Sequence, residues 1–197
     1  MKNHITTINE MLDNNDGIIT SREITNAGIP RLYLPKMLKS GSLIKFERGI
    51  YAKNETIADD IYYLQHRYNR GVYSYETALY LHGLIDVEPE KSFLTFPRGY
   101  NAGSLKYESN IIVKHVSLNI HEIGLSEIKT PLGNVVKVYD IPRALCDMLK
   151  RNTNLKETNR IMREYLHSDQ FDLVSMILYS ADLKVDKKMA IYLDTLV

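Results

Sequence analysis

The sequence predicts an α+β protein in two parts: an N-terminal winged helix-turn-helix domain, residues 1–56, and a C-terminal α+β domain, residues 57–197. Three helical patterns followed by a β-hairpin pattern fill roughly the first 55 residues, which is the element order of a winged helix. Beyond them, helical segments flank a group of short β-prone runs. In this second part we expect a small, mainly antiparallel sheet and a helical C-terminus.

The first two helices are indicated by apolar spacing and by their ends. Apolar residues at positions 5, 8, 11 and 12 share one helical face, and the turn-forming run 13–17 ends that helix. The segment Thr20–Glu23 has the spacing of a capping box, so a second helix begins there. This helix is short, because Gly28 favours a C-terminal stop.

A third helix and a hairpin complete the N-terminal pattern. Since proline is tolerated only in the first turn of a helix, Pro35 places the helix start near Leu32 or Tyr33, or else kinks the segment. The β-prone runs 43–46 and 50–52 surround a turn in which Gly49 is expected to take a positive φ.

The second part of the sequence contains both β-prone runs and segments with helical periodicity. Its β-prone runs lie at residues 93–96, 111–113 and 135–139. The helices expected before them are 57–68 and one capped by Ser74. The helices expected after them are one capped by Asp140 and those at 155–166, 171–181 and 186–196.

Composition excludes several classes of protein. With 25 Lys and Arg against 24 Asp and Glu, the formal net charge is +1, which excludes a histone-like polybasic protein. One cysteine excludes an internal disulfide. No apolar run approaches the roughly 20 residues of a membrane span, and the N-terminus has no signal-peptide pattern. We therefore expect a cytoplasmic protein with no membrane partner.

The net charge conceals a strongly basic segment. Between residues 28 and 53, six basic residues face one acidic residue, Glu47, which gives a local net charge of +5. The six are Arg31, Lys36, Lys39, Lys45, Arg48 and Lys53. Neutralising DNA phosphates with such residues supplies most of the affinity of duplex binding.

The positions of these residues on a winged helix suggest separate roles. The third helix would enter the major groove, and the hairpin would lie along the backbone. The residues expected at the groove are Arg31, Tyr33, Lys36 and Lys39, and those expected at flanking phosphates are Lys45, Arg48 and Lys53. Thr20, Ser21 and Arg22 begin the second helix, whose N-terminus favours an anion. The alternative is a solvated charged face used for protein contact.

Motifs for catalysis are missing from the sequence. It contains no HExxH, glycine-rich phosphate loop or GxSxG, so we expect no enzyme, cofactor or metal site. His121-Glu122 is expected to be a polar strand or loop pair, and Cys146 a buried small hydrophobe. Arg143 and Asp147 are four residues apart, which favours a helical ion pair; a functional surface is the alternative.

Tyrosines crowd the region where the two parts meet. Six of them fall between residues 62 and 80. Tyrosine combines a large apolar body with a polar tip, which suits a domain interface. Stacking on a single strand or a nucleotide is the alternative interpretation.

Three ordered motifs and the end of the hairpin carry a family resemblance. They are Ser74–Leu84, Thr130–Gly133, Val138–Leu149 and Arg48–Tyr51. Together the segments resemble the AbiE antitoxin family, in particular the AbiEi-type antitoxins of type IV toxin–antitoxin systems. The resemblance covers essentially the whole chain, by motif up to about Lys150 and by helix pattern beyond.

The resemblance implies an antitoxin that also represses its own operon, in a bacterial system for abortive infection by phage. Such a protein binds inverted repeats through its winged helix and counteracts a nucleotidyltransferase toxin without a stable complex. The C-terminal domain is needed for antitoxicity, and Arg143 and Asp147 are its candidate surface residues. DNA-contact roles carry over to Arg31, Lys36, Lys39, Lys45 and Arg48, although Pro35 within the reading helix departs from the pattern.

Two other functions stay open at this point. One is a ligand-responsive winged-helix regulator whose C-terminal domain binds a small molecule. The other is an enzyme that modifies the toxin or a nucleotide with Asp140, Arg143 and Asp147.

Overall fold

The computed structural model of the protein describes residues 4–15, 17–53, 59–101, 105, 109–151 and 155–194. The chain divides into two compact units, Met1–Asp60 and Ile61–Val197. Each unit has a buried hydrophobic core of its own. The domain boundary expected between residues 56 and 57 lies outside the described residues.

The first unit combines helices with a small antiparallel sheet. Its described elements are, in order, α1 (His4–Asn14), β1 (Ile18–Thr20), α2 (Ser21–Asn26), α3 (Tyr33–Lys39), β2 (Leu43–Glu47) and β3 (Ile50–Lys53). The sheet order is β1-β3-β2, with both pairs antiparallel. Strand β1 appears in the sequence only as a short apolar step, because three residues are too few to show an alternating pattern.

The helices of the first unit are anchored by the apolar residues that predicted them. Ile8 and Leu12 of α1 are fully buried, and Leu34 and Met37 of α3 lie in the same core. Helix α3 begins at Tyr33, so Pro35 falls in its first turn, where the missing N–H group breaks no hydrogen bond.

The second unit contains a larger sheet surrounded by helices. The described elements are α4 (Asp60–Arg67), β4 (Val72–Tyr73), α5 (Tyr75–Leu81), β5 (Ser92–Pro97), β6 (Ile111–Val116), α6 (Leu118–His121), β7 (Leu125–Lys129), β8 (Val135–Tyr139), α7 (Ile141–Arg151), α8 (Leu155–Leu166), α9 (Leu173–Asp182) and α10 (Asp186–Leu193). The expected helix start at residue 57 and helix end at residue 196 lie outside the described residues.

This larger sheet is mixed, which corrects the expected mainly antiparallel arrangement. Its order is β6-β5-β4-β8-β7. The pairs β4–β5 and β7–β8 are antiparallel, whereas β4–β8 and β5–β6 are parallel. The difference arises because β4, only two residues long, lies at the centre of the sheet and leaves no recognisable pattern in the sequence.

Helix α7 is the centre of the second unit. Every residue from Ile141 to Leu149 is buried, and the helix packs against α5, α8, α9 and α10. Asp140 begins the helix as predicted, since its Oδ1 accepts a 2.9 Å hydrogen bond from the backbone N–H of Arg143. Tyr68 and Tyr73, from the tyrosine-rich stretch, also lie in this core.

Candidate nucleic-acid interface

The basic residues of α3 are separated from its apolar residues. Leu34 and Met37 are buried, whereas Lys36 and Lys39 are exposed and, three residues apart, share the outward face of the helix. Burial on one side therefore holds both ammonium groups on the solvent side. Lys36 Nζ also lies 5.3 Å from the ring centroid of Tyr33.

Tyr33 differs from its neighbours in being only half exposed. Its ring lies 5.0 Å from that of His4 and packs against the core of the first unit. Tyr33 therefore belongs to the edge of the helix rather than to the outward face that Lys36 and Lys39 share.

The β2–β3 hairpin presents two further basic side chains. Lys45, on β2, lies opposite Tyr51 of β3 and next to a register shift. Arg48 lies in the turn between the two strands. Both are exposed. Gly49 has φ +86°, so the predicted positive φ is confirmed, and glycine adopts this conformation without steric cost.

The start of α2 contains the predicted capping box. Thr20 Oγ1 accepts a 3.1 Å hydrogen bond from the N–H of Glu23 and donates one of 2.8 Å to its carboxylate. The Thr20 hydroxyl is thereby bonded within the box. Ser21 is half-buried, and its N–H donates to the carbonyl of Gly49. Arg22 is exposed.

Two of the expected DNA-contact residues, Lys53 for a phosphate and Arg31 for the groove, have partners within the first unit. Lys53 forms an ion pair with Asp13, and this pair offsets its charge. Arg31 is exposed, but its Nε donates a 2.7 Å hydrogen bond to Thr25 Oγ1, which fixes the side chain beside α2. The structure thus places six of the expected basic residues on the surface: Arg22, Arg31, Lys36, Lys39, Lys45 and Arg48.

Arg143 and Asp147 are not surface residues, which corrects the expected antitoxin surface. Arg143 is 0% exposed and Asp147 is 4% exposed. The predicted helical ion pair is present, with Nε of Arg143 3.1 Å from Oδ2 of Asp147. Helix α7 packs against α5, α8, α9 and α10, and both side chains of the pair are buried.

Other groups with possible chemistry are also buried. Cys146 is fully buried, as expected, and burial raises the pKa of its thiol to about 12. His121 ends α6 rather than lying on a strand or loop, and its Nε2 is 3.2 Å from the carbonyl oxygen of Thr95. The described residues include no cluster of three or more His, Cys, Asp or Glu that could hold a metal.

A concave pocket that no sequence pattern indicates lies within the second unit. Its basic lining residues come from three separated places in the chain: Arg98, Lys114, His115, Lys150 and Arg151. No local run of charge marks them. Arg98 follows β5 and Lys114 lies on β6. The parallel pairing of these two strands, which places Thr95 opposite Lys114, brings the two residues to the same part of the sheet.

The fold resembles that of a solved structure. The crystal structure of the RV2827C protein from Mycobacterium tuberculosis matches with a TM-score of 0.51 and 14% sequence identity, over 97% of this chain and 80% of that protein. At this identity the likeness concerns the fold alone. A comparison with curated proteins gives no match.

None of the helices in the described part of the chain combines the length and the apolar character needed to cross a bilayer.

A comparison with protein families gives a match to the model described as transcriptional regulator, AbiEi antitoxin, over residues 7–52. This segment runs from within α1 to within β3 and includes α3 and most of the hairpin. Over residues 7–52 the chain therefore matches the AbiEi antitoxin transcriptional regulators, which confirms for this segment the resemblance to the AbiE antitoxin family.

Proposed function

We propose that this protein is the antitoxin and autorepressor of a type IV toxin–antitoxin operon, and that its first unit is a winged helix-turn-helix domain for inverted-repeat operator DNA. The observation that carries the proposal is the outward face of α3, where Lys36 and Lys39 are exposed while Leu34 and Met37 hold the helix in the core. The family match over the same residues supports it.

In this proposal α3 reads the major groove and the hairpin contacts the backbone. A recognition helix needs one face for the core and another for DNA, and the residues of α3 divide in this way. Arg48 at the hairpin turn and Lys45 on β2 would meet flanking phosphates, and Arg22 would meet a phosphate near the start of α2. Lys53 contributes less than its charge suggests because it is paired with Asp13.

The antitoxin activity is assigned to the second part of the chain, residues 57–197. We propose that it counteracts a nucleotidyltransferase toxin in the cytoplasm without a stable complex, as the family resemblance implies. Arg143 and Asp147 support the fold of this part and do not contact a partner, since both are buried. The proposed function requires no catalysis by the antitoxin itself.

The decisive experiment measures binding of the full chain to its own upstream DNA. We expect tight binding to a fragment with the inverted repeats and weak binding to a scrambled fragment. Replacing Lys36, Lys39 and Arg48 together by Ala should abolish specific binding while the circular dichroism spectrum stays unchanged. If the protein neutralises about five phosphates, a plot of log affinity against log salt concentration should have a slope of about −4.5.

A matched variant controls for the loss of three positive charges. Lys129, Lys156 and Lys187 are exposed residues of the second unit, and their replacement by Ala changes the net charge equally. We expect this variant to bind the operator almost as the unaltered protein does. Equal weakening in both triple variants would contradict a DNA-binding site on α3 and the hairpin.

A growth assay tests the antitoxin part separately. Cells that express the toxin should be rescued by the Lys36, Lys39 and Arg48 triple variant as well as by the unaltered chain, since the replaced residues lie in the first unit. Loss of rescue in a correctly folded triple variant would contradict the assignment of antitoxicity to residues 57–197. Co-purification of a stoichiometric toxin complex would contradict the proposed mechanism.

A further inference from the structure

The second unit contains a cationic pocket that the proposed repressor function does not use. The pocket is open to solvent, has a volume of about 390 Å³, and is assembled from several elements. The residues that define it here are Tyr75, Arg98, Lys114, Asp147, Lys150 and Arg151. This volume falls within the range of pockets that bind small molecules, which begins at about 300 Å³.

The walls of the pocket are held in place by regular structure. Lys114 lies on β6, which pairs in parallel with β5, and the N–H of Arg98 donates a 2.7 Å hydrogen bond to the carbonyl of Val116. Lys150 and Arg151 form the end of α7, whose other residues are buried. The cationic groups therefore project from a rigid frame.

Ion pairing leaves an excess of positive charge at this pocket. Asp147 pairs with Arg143 behind it, and Arg151 pairs with Glu76. Within the part of the chain that the structure describes, the three remaining cations make no ion pair; they are Arg98, Lys114 and Lys150. Like charges around a concavity repel each other and focus a positive potential that attracts an anion.

The buried guanidinium of Arg143 lies behind the pocket, and its charge is paired with that of Asp147. Its Nη1 donates hydrogen bonds to the carbonyls of Ile120 and Ile123, at 2.6 and 2.7 Å, whereas its Nη2 has no hydrogen-bond partner among the described residues. Asp147, its ion-pair partner, lines the pocket.

Tyr75 provides an aromatic wall from a strained backbone position. Its φ is +52°, a left-handed conformation that is rare for a tyrosine and that clusters at binding sites when the fold maintains it. The ring lies 5.4 Å from the guanidinium of Arg151 and 5.9 Å from Lys114 Nζ. An aromatic surface beside cations suits a ligand that has both a planar ring and a phosphate.

We propose that this pocket binds a small phosphate ester of nucleotide size, with Lys114, Lys150 and Arg98 on the phosphates and Tyr75 beside the base. This goes beyond the DNA-binding and antitoxin functions and does not depend on either. The concave form of the pocket favours a small molecule over the backbone of duplex DNA, which requires an extended surface.

The test is titration calorimetry of the full chain with ATP, with pyrophosphate and with uncharged adenosine. We expect saturable binding of ATP to one site per chain, weaker binding of pyrophosphate and no detectable binding of adenosine. The Lys114→Ala/Lys150→Ala variant should weaken ATP binding by at least about tenfold, which is 1.4 kcal/mol or more. Arg98→Ala, a single change at an exposed residue, should weaken it in the same direction.

The control is Lys129→Ala/Lys156→Ala, which removes two exposed charges outside the pocket and should leave ATP affinity unchanged. Three results would each overturn the proposal. The first is no saturable binding of ATP at about 1 mM, a concentration that would reveal a millimolar site. The second is equal weakening in the pocket and control variants. The third is loss of duplex DNA affinity in the pocket variants without any ATP binding, which would assign these cations to the DNA backbone.

Discussion

Nε of Arg143 donates a 3.1 Å hydrogen bond to Oδ2 of Asp147 inside the second unit. The guanidinium carbon also lies 4.1 Å from the ring centroid of Tyr139. Burial raises the pKa of Asp147, and the positive charge of Arg143 opposes that shift. Because both side chains are buried and have lost their hydration, the charge of each is stabilised by the opposite charge of the other.

Asp147→Ala should therefore destabilise the protein strongly. The change leaves the charge of Arg143 buried without its counterion, and breaking a buried pair in this way costs about 3–5 kcal/mol. Urea denaturation followed by circular dichroism measures the loss. The control is Glu164→Ala, which removes an exposed pair with Arg160 at the same helical spacing and should change stability little. Similar effects of the two changes would contradict the structural role of Arg143 and Asp147.

Gly124→Ala should be more damaging than Gly133→Ala, although both glycines have a positive φ. A Cβ atom at Gly124, where φ is +69°, would lie 2.5 Å from Cβ of Arg143. Overpacking of this kind and the left-handed backbone together cost about 3 kcal/mol or more. Gly133→Ala is the matched control, since its φ is +89° and its Cβ would meet nothing within 4 Å. It should lose only about 1 kcal/mol, and an equal loss at both positions would show that Arg143 moves aside.

Acidification should destabilise the second unit partly through His121. Burial lowers the pKa of His121 below its ordinary value of 6.5. The unfolded chain then binds the proton first, so the free energy of unfolding decreases from about pH 7 downward until the folded-state pKa is passed. His121→Gln, which keeps an N–H donor for Thr95, should reduce this slope in urea midpoints measured between about pH 7 and 5. The exposed His167→Gln should retain it, and an unchanged slope in His121→Gln would refute the assignment.

Thr20→Ala should weaken the first unit even without DNA. It removes the hydroxyl of the capping box, and loss of such a cap costs about 1 kcal/mol. Thr20→Ser retains the hydroxyl and should restore most of the stability. Hydrogen exchange at the amide of Glu23, which donates to Thr20, reports the cap directly. Normal protection of that amide in Thr20→Ala would mean that the hydrogen bond contributes nothing.

Local patterns were sufficient to predict most of the helices. The start of α3 at Tyr33, the capping box at Thr20 and the cap at Asp140 follow from residues within one or two turns of each other. The mixed sheet could not be predicted in this way. Its arrangement depends on Val72–Tyr73, a strand too short for a period-2 pattern, and on pairings between distant segments.

The candidate sites divide similarly. The basic face of α3 is visible in sequence because Lys36 and Lys39 are close together and helical spacing fixes their direction. Charge alone could not indicate that Lys53 is paired with Asp13 or that Arg143 is buried. The cationic pocket was missed for the same reason, since its residues converge only through the pairing of β5 with β6 and the position of the end of α7.

Strand β4 has a consequence for the order in which the second unit assembles. Tyr73 pairs with Leu94 on one side and with Val138 on the other, so two residues join both halves of the sheet. During synthesis, one edge of β4 stays open until the ribosome has made β8, about 65 residues later. Helix α7, which provides the buried core, follows immediately. The sheet therefore cannot be complete before β8 has been made, and a nascent chain ending before Val135 would expose an unpaired strand edge of the kind that promotes aggregation.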